Sequence, residues 1–184
     1  EFIRPEQVWV SDITYIGNRK NPSYLALITD AYSKKIMGYN VSDSLNVKGS
    51  LFALEMALKN RVYKNDPIIH HSDRGLQYCS NEYQQILDKN DIRPSMTEQY
   101  DPYENAIAER INGVLKQEFA VDKYDTNLEI KSELVRNAIK IYNNLRPHLS
   151  NYMLTPNQMH RQKTIKRKQY KNKKGSNKKS LPLT

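Results

Sequence analysis

Apolar residues follow two different spacings along the chain. Between Gln7 and Val41 they crowd into three short runs, QVWVSDITYI (Gln7–Ile16), YLALIT (Tyr24–Thr29) and KIMGYNV (Lys35–Val41). Runs this rich in β-branched and aromatic residues, bounded by Gly17-Asn18 and by Asp30–Lys34, read as strands. Their short connections predict an antiparallel meander. From Asn46 to Asn60 the spacing changes, and Val47, Leu51, Leu54, Ala57 and Leu58 fall on one side of a helix. Pro67–His70 then reads as a fourth strand and Ser80–Lys89 as a helix with a serine start signal. Ile92–Met96 is a fifth strand, placed at an edge because Pro94 has no N–H to give a ladder. A polar stretch, Thr97–Glu104, leads to helices from about Asn105 to Phe119 and from about Leu128 to Leu145, the second ending at Arg146-Pro147. The order βββαβαβαα predicts an α/β fold, with a mixed five-stranded sheet covered by helices on both faces.

Charge divides the chain. The 184 residues carry 29 Lys+Arg against 20 Asp+Glu, a formal net charge of +9. All the acids lie between Glu1 and Glu133, whereas residues 161–184 hold 10 Lys/Arg and no acid, which leaves residues 1–160 at −1. We therefore expect a core domain over 1–160 and a disordered basic tail over 161–184, since such a segment buries too little apolar surface to offset its chain entropy. The tail reads either as a phosphate-binding arm acting through counterion release or as a solvated extension. The single cysteine, Cys79, permits no internal disulfide and no multi-thiolate zinc site, and is expected to be a small filler. No apolar run approaches the ~20 residues that span a bilayer, and EFIRPEQVWV lacks a secretory pattern. A cytoplasmic protein without a membrane partner is expected. The missing initiator Met suggests a piece of a longer protein, with Glu1-Phe2 as a cloning remnant.

Three acids stand out. Asp12 occupies the middle of the first strand, where an acid has poor propensity and needs solvent or a partner. Asp73 follows the fourth strand in HHSDRG. Glu109 lies in ENAIAERINGVLKQE, on a polar helical stripe with Asn105, Asn112 and Lys116, away from the apolar stripe Ile107, Ile111 and Val114. Each also has an ordinary reading: a capped turn for Asp73, a solvated helix position for Glu109. His70 and His71 are consecutive on a strand and so point to opposite faces. His71 shares Asp73's face, which favours a role behind that acid or against a bound partner over metal ligation.

Four words in order give the chain a family likeness. WVSDITYI surrounds the first acid, HSDRGLQYCS the second, NAIAERINGVLKQE the glutamate after a gap of 35 residues, and YNNLRPHLSNYMLTPNQ closes the run. Together they resemble the DDE integrase-core domain of retroviral integrases and insertion-sequence transposases, most closely the IS3 family. The likeness covers roughly Val8 to Met159. The chain has Glu104-Asn105-Ala106 where that family often has Asp-Asn-Ala.

The resemblance implies an RNase H-like fold and a DNA transposase that cleaves and joins phosphodiesters with divalent metal. Two Mg²⁺ or Mn²⁺ ions would serve the attacking and leaving oxygens, and such hard cations take oxygen ligands. It implies Asp12, Asp73 and Glu109 as catalytic metal ligands, Asp12 bridging both ions. Lys116, two turns beyond Glu109, matches a basic residue that contacts DNA near the scissile phosphate. Arg74, Asn105, Arg146, His148, Lys166, Arg167 and Lys168 complete the candidate DNA contacts. The implied partners are transposon ends and target DNA, with the protein a homo-oligomer on DNA and no small-molecule substrate. Two alternatives stay open, a nuclease that cuts without joining and a catalytically silent DNA-binding module.

Overall fold

The computed structural model describes residues 2–18, 21–96 and 102–162, with Asn18 and residues 102–105 as backbone only. β1 (Val8–Asn18), β2 (Asn21–Asp30) and β3 (Ile36–Ser42) form the antiparallel meander. The chain passes through α1 (Val47–Lys59) to β4 (Ile68–Ser72) and through α2 (Asn81–Lys89) to β5 (Ile92–Met96). β4 pairs parallel with β1 and β5 parallel with β4, so the sheet runs β3-β2-β1-β4-β5 with the proline-bearing β5 at an edge. α3 (Pro102–Gln117), α4 (Leu128–Leu145) and a short α5 (Pro156–His160) follow.

Both faces of the sheet are buried, which is why its strands read as nearly continuous apolar runs. On β2, Ala26 and Ile28 join the cluster under α1 and α2, with Trp9, Leu54, Tyr83 and Leu87. Leu25 and Leu27, the alternate positions, join Ile111, Leu115, Val135, Ile139 and Tyr142 under α3 and α4. α1 lies so close to β3 that a Cβ on Gly38 would stand 2.0 Å from the Ala53 carbonyl oxygen and 2.7 Å from the Ala57 nitrogen. Backbone on backbone leaves no side chain to move aside. Gly38→Ala is accordingly expected to cost about 1–3 kcal/mol, read as a lower urea midpoint at unchanged slope. An unshifted midpoint would mean that α1 can lift from β3 without loss.

His70 is a core residue. Its Nε2 meets Ser11 Oγ at 2.7 Å and the Tyr83 hydroxyl at 2.9 Å, and burial pushes the ring down to about 3. His71 points to the other face, where its Nδ1 is 3.2 Å from Ser95 Oγ on β5. At 1 % exposed, it is too deep to touch DNA, which corrects that part of its expected role. Cys79 is exposed and packs as no filler, its Sγ lying 3.8 Å from Met96 Sδ. α3 starts three residues earlier than periodicity indicates, with a proline in the first turn, where a missing N–H costs nothing. α5 was not expected at all. Its signal is local: Thr155 and Gln158 form a reciprocal capping box around Pro156 at the first helical position. Among the described residues no helix is long and apolar enough to cross a membrane.

Candidate active site

α3 lies along β1, and the two elements advance together. Ala108 packs in one cluster with Val8 and Val10, Asn112 reaches Asp12, and Lys116 reaches Thr14. Four helical residues rise about 6.0 Å and two strand residues about 6.6 Å, so the stripe 108, 112, 116 stays in step with 10, 12, 14. This matching of rises puts the polar stripe of α3 over the middle of β1.

Parallel pairing of β1 with β4 brings up the second acid. Val8, Trp9 and Val10 pair with Ile69, His70 and His71, and the same register carried two residues further sets Asp73 beside Asp12. Asp12 is half-buried and its Oδ2 accepts from Asn112 Nδ2 at 2.6 Å. Burial first, and then the negative charge of Asp73, hold its carboxyl above the ordinary value, while the Asn112 bond and the Lys116 charge act the other way. Asp73 is exposed, and its Oδ1 accepts the Gly75 N–H at 2.9 Å. Gly75 keeps that turn open, because a Cβ there would fall 2.9 Å from the same oxygen. Capped turn and paired acid are thus one and the same arrangement.

Glu109 is exposed on the α3 stripe, one turn before Asn112 and two before Lys116. Its carboxylate does not join the aspartates: among the described residues no three His, Cys, Asp or Glu side chains converge closely enough to hold a metal ion. The set expected from sequence therefore has two members side by side and the third on the neighbouring helix.

Lys116 is half-buried and donates from Nζ to Thr14 Oγ1 at 2.7 Å, which aims its charge along β1 beside Asp12. Arg74 is exposed next to Asp73. Arg146 and His148 are engaged elsewhere. Arg146 forms a bidentate pair with Glu118, Nε to Oε2 at 2.6 Å and Nη2 to Oε1 at 2.5 Å, nine residues beyond Glu109. His148 stacks edge-on against Tyr142 at 5.0 Å, and burial with the Arg146 charge pushes it down to about 4. Arg146 thereby ties the end of α4 to the residue after α3, and His148 packs against α4. The Asn105 side chain and Lys166, Arg167 and Lys168 lie outside the described residues.

Sequence reading placed Asn112 on the polar stripe without assigning it a role. It is 7 % exposed, and its Oδ1 has no hydrogen-bond partner while its Nδ2 holds Asp12. A buried amide with one idle acceptor beside a strand carboxylate is the available signal, and it exists only once α3 is docked. Among the described residues the candidate ligands at this site present oxygen, which suits a hard divalent cation. The orphaned Asn112 oxygen and the mutual field of Asp12 and Asp73 both fit such an ion.

Known proteins resemble this chain in sequence and in fold. Two family descriptions, both of the integrase core domain, match residues 3–102 and 90–156. A putative transposase for insertion sequence element IS986/IS6110 of Mycobacterium tuberculosis is 37 % identical over 118 residues, covering 62 % of this chain and 42 % of that protein. Transposase InsF for insertion sequence IS3A of Escherichia coli is 35 % identical over 145 residues, covering 78 % of this chain and 50 % of that one. The chain thus spans about half the length of the relatives it matches. Among solved structures, the HTLV-2 integrase catalytic core domain in complex with magnesium superposes with a TM-score of 0.68 at 19 % identity, covering 87 % of this chain and 99 % of that one. That likeness shows the fold, the RNase H-like sheet of integrase cores. On sequence and fold together, the chain belongs to the integrase core domain family.

Proposed function

We propose that this chain is the catalytic domain of a DNA transposase that cleaves and joins phosphodiesters with divalent metal. The observation that carries the reading is the placement of Asp12 beside Asp73 by the parallel register of β1 and β4, with Asn112 fixing Asp12 from α3. Asp12, Asp73 and Glu109 would hold one or two Mg²⁺ or Mn²⁺ ions. Bound there, such ions supply Lewis-acid stabilisation of the attacking and leaving oxygens.

The chain's own residues do the rest. Asn112 orients Asp12, and Lys116, fixed on Thr14, offers a point charge to a phosphate lying over β1. Arg74 supplies a second cation beside Asp73. No protein nucleophile is required, because water attacks in end cleavage and the freed 3′-hydroxyl attacks the target strand in joining. The partners in this reading are transposon ends and target DNA, with the protein oligomeric on them.

The test is incubation with a pre-cleaved end duplex, a target duplex and Mg²⁺ or Mn²⁺, with products separated on a denaturing gel. Joined strands are the expected result. Cutting alone would replace the reading with a nuclease, and retention of DNA without either product would replace it with a silent binding module. In the same assay Asn112→Ala is expected to slow joining about 10–100-fold, the usual loss when a group that orients a metal ligand is removed. Unchanged joining would leave Asn112 as a packing residue only.

A further inference from the structure

A second group of ionisable side chains meets in the interior beneath α5. Glu6, Asp30 and Ser33 are fully buried and His160 is 1 % exposed. His160 sits between two carboxylates, with Nε2 3.2 Å from Glu6 Oε1 and Nδ1 3.6 Å from Asp30 Oδ1. Ser33 Oγ lies 3.0 Å from the same Nδ1 and donates to Asp30 Oδ1 at 2.6 Å. Hydroxyl, imidazole and carboxylate stand in the order of a nucleophilic relay, but nothing can reach a serine this deep. The arrangement therefore serves the chain itself.

Four distant stretches supply it. Glu6 precedes β1, Asp30 and Ser33 close the β2–β3 turn, Arg61 and Tyr63 follow α1, and His160 ends α5. Asp30 Oδ2 accepts the Glu6 N–H at 2.7 Å. Glu6 accepts the Val62 N–H at 2.7 Å and the Tyr63 N–H at 3.2 Å, and faces Arg61 Nε at 3.3 Å. The Tyr63 hydroxyl donates to the His160 carbonyl at 2.9 Å, and Lys35 adds a positive charge to the field of the ring. Glu6 holds its place in a left-handed backbone conformation, φ 53°, which a non-glycine residue adopts only when its surroundings demand it. Among the described residues Arg61 is in direct contact with Glu6, Lys34 and Lys35 add positive charge toward Asp30 and Glu6, and a protonated His160 is the cation placed between both buried carboxylates. α5 has five residues, too few to persist without such an anchor, and directly after it begins the run of 10 Lys/Arg over residues 161–184.

We propose that His160, clasped between Glu6 and Asp30, is a proton-operated latch that docks α5, the helix directly before the basic run of residues 161–184. Protonated, both ring nitrogens donate into the cluster. When the ring loses its proton to water, one nitrogen turns acceptor against buried carboxylates, and α5 lets go. Burial works against the charged ring, but its bonds to Asp30 and Glu6 outweigh burial and raise its proton affinity; Glu6 is lowered by the same partnership against its own burial. A raised histidine contributes stability fully below its ordinary 6.5 and loses it as pH rises through the folded value. A lowered glutamate contributes above 4.5 and loses it in acid, so the latch is closed between these limits and opens on the alkaline side.

Hydrogen exchange on the full chain tests this. With intrinsic rates corrected, protection of residues 156–162 is expected to fall at least about tenfold between pH 6 and pH 9, while β1 and β4 keep theirs. His160→Gln should show the low protection at every pH. Flat protection in the wild type, or a surviving pH dependence in the variant, overturns the latch. Should the variant fail to fold, the wild-type imidazole resonance decides: His160 titrating above 6.5 supports the latch, and titration at or below 6.5 overturns it.

Discussion

Asp12→Asn, Asp73→Asn and Glu109→Gln are each expected to abolish metal-dependent strand transfer, by at least about 10²–10³-fold, while the fold persists. The size follows from removing one charge placed to stabilise a transition state. The three changes should differ in stability, which separates a ligand from a structural acid. In the absence of metal, Asp12 ionises against burial and against Asp73, so its folded proton affinity exceeds the ordinary value of 3.8. For such an acid, stability declines as pH rises from that value through the folded one and stays reduced at neutral pH. Asn at position 12 carries no charge and should melt above the wild type at pH 7, with about 2–4 °C for every kcal/mol regained. The advantage should vanish in acid.

Divalent metal should reverse the order. Mg²⁺ is expected to raise the wild-type melting temperature by mass action, about 2.7 kcal/mol at a hundredfold excess over the dissociation constant. Asp12→Asn should gain little, because the cation has lost half of the aspartate pair. Glu109→Gln should change stability little without metal, since Glu109 is exposed and glutamine keeps its volume and helix propensity. Near wild-type joining by any one variant would remove that residue from the catalytic set. A wild type indifferent to Mg²⁺ would show that Asp12 and Asp73 do not make a cation site.

How much of this was legible beforehand depended on distance along the chain. Strand and helix order came from periodicity, because β2 buries both faces and α1 and α4 each bury one, and these patterns are local. Asp12 and Asp73 were visible because a carboxylate is out of place in mid-strand or needs a reason after one. Their juxtaposition rests on a register that periodicity does not encode. Arg146, a candidate DNA contact, also bonds Glu118, 28 residues earlier, through the Nε–Nη2 edge of its guanidinium, a pairing that no local pattern announces. Glu6 and His160 lie 154 positions apart, and neither has a local oddity that marks it. α5 is the exception. Its capping box and proline were readable in Thr155-Pro156-Asn157-Gln158, yet five residues are too few for a periodic signal.

Removing residues 163–184 is expected to have the second large effect, on DNA affinity rather than on chemistry. That segment carries nine Lys/Arg and no acid, so the shortened chain has a formal net charge of zero. In the proposed reading the phosphate backbone is the partner, and each phosphate neutralised releases counterions worth a slope of about 0.9 in log K against log salt. If only half of the nine charges engage, the slope changes by about 4. Between about 50 and 200 mM salt the full chain then loses roughly 10²-fold more affinity than the shortened one. Sequence preference should not move, since phosphate contacts carry no base information. The melting temperature should hold, because Glu6, Asp30 and His160 remain to anchor α5. Joining at saturating DNA should survive as well, Asp12, Asp73 and Glu109 all being retained. Duplex binding measured across a salt series decides the matter. Equal slopes for the two chains would move the phosphate contacts onto the folded body, to Lys116, Arg74 and their neighbours, and leave the basic run without a part in holding DNA.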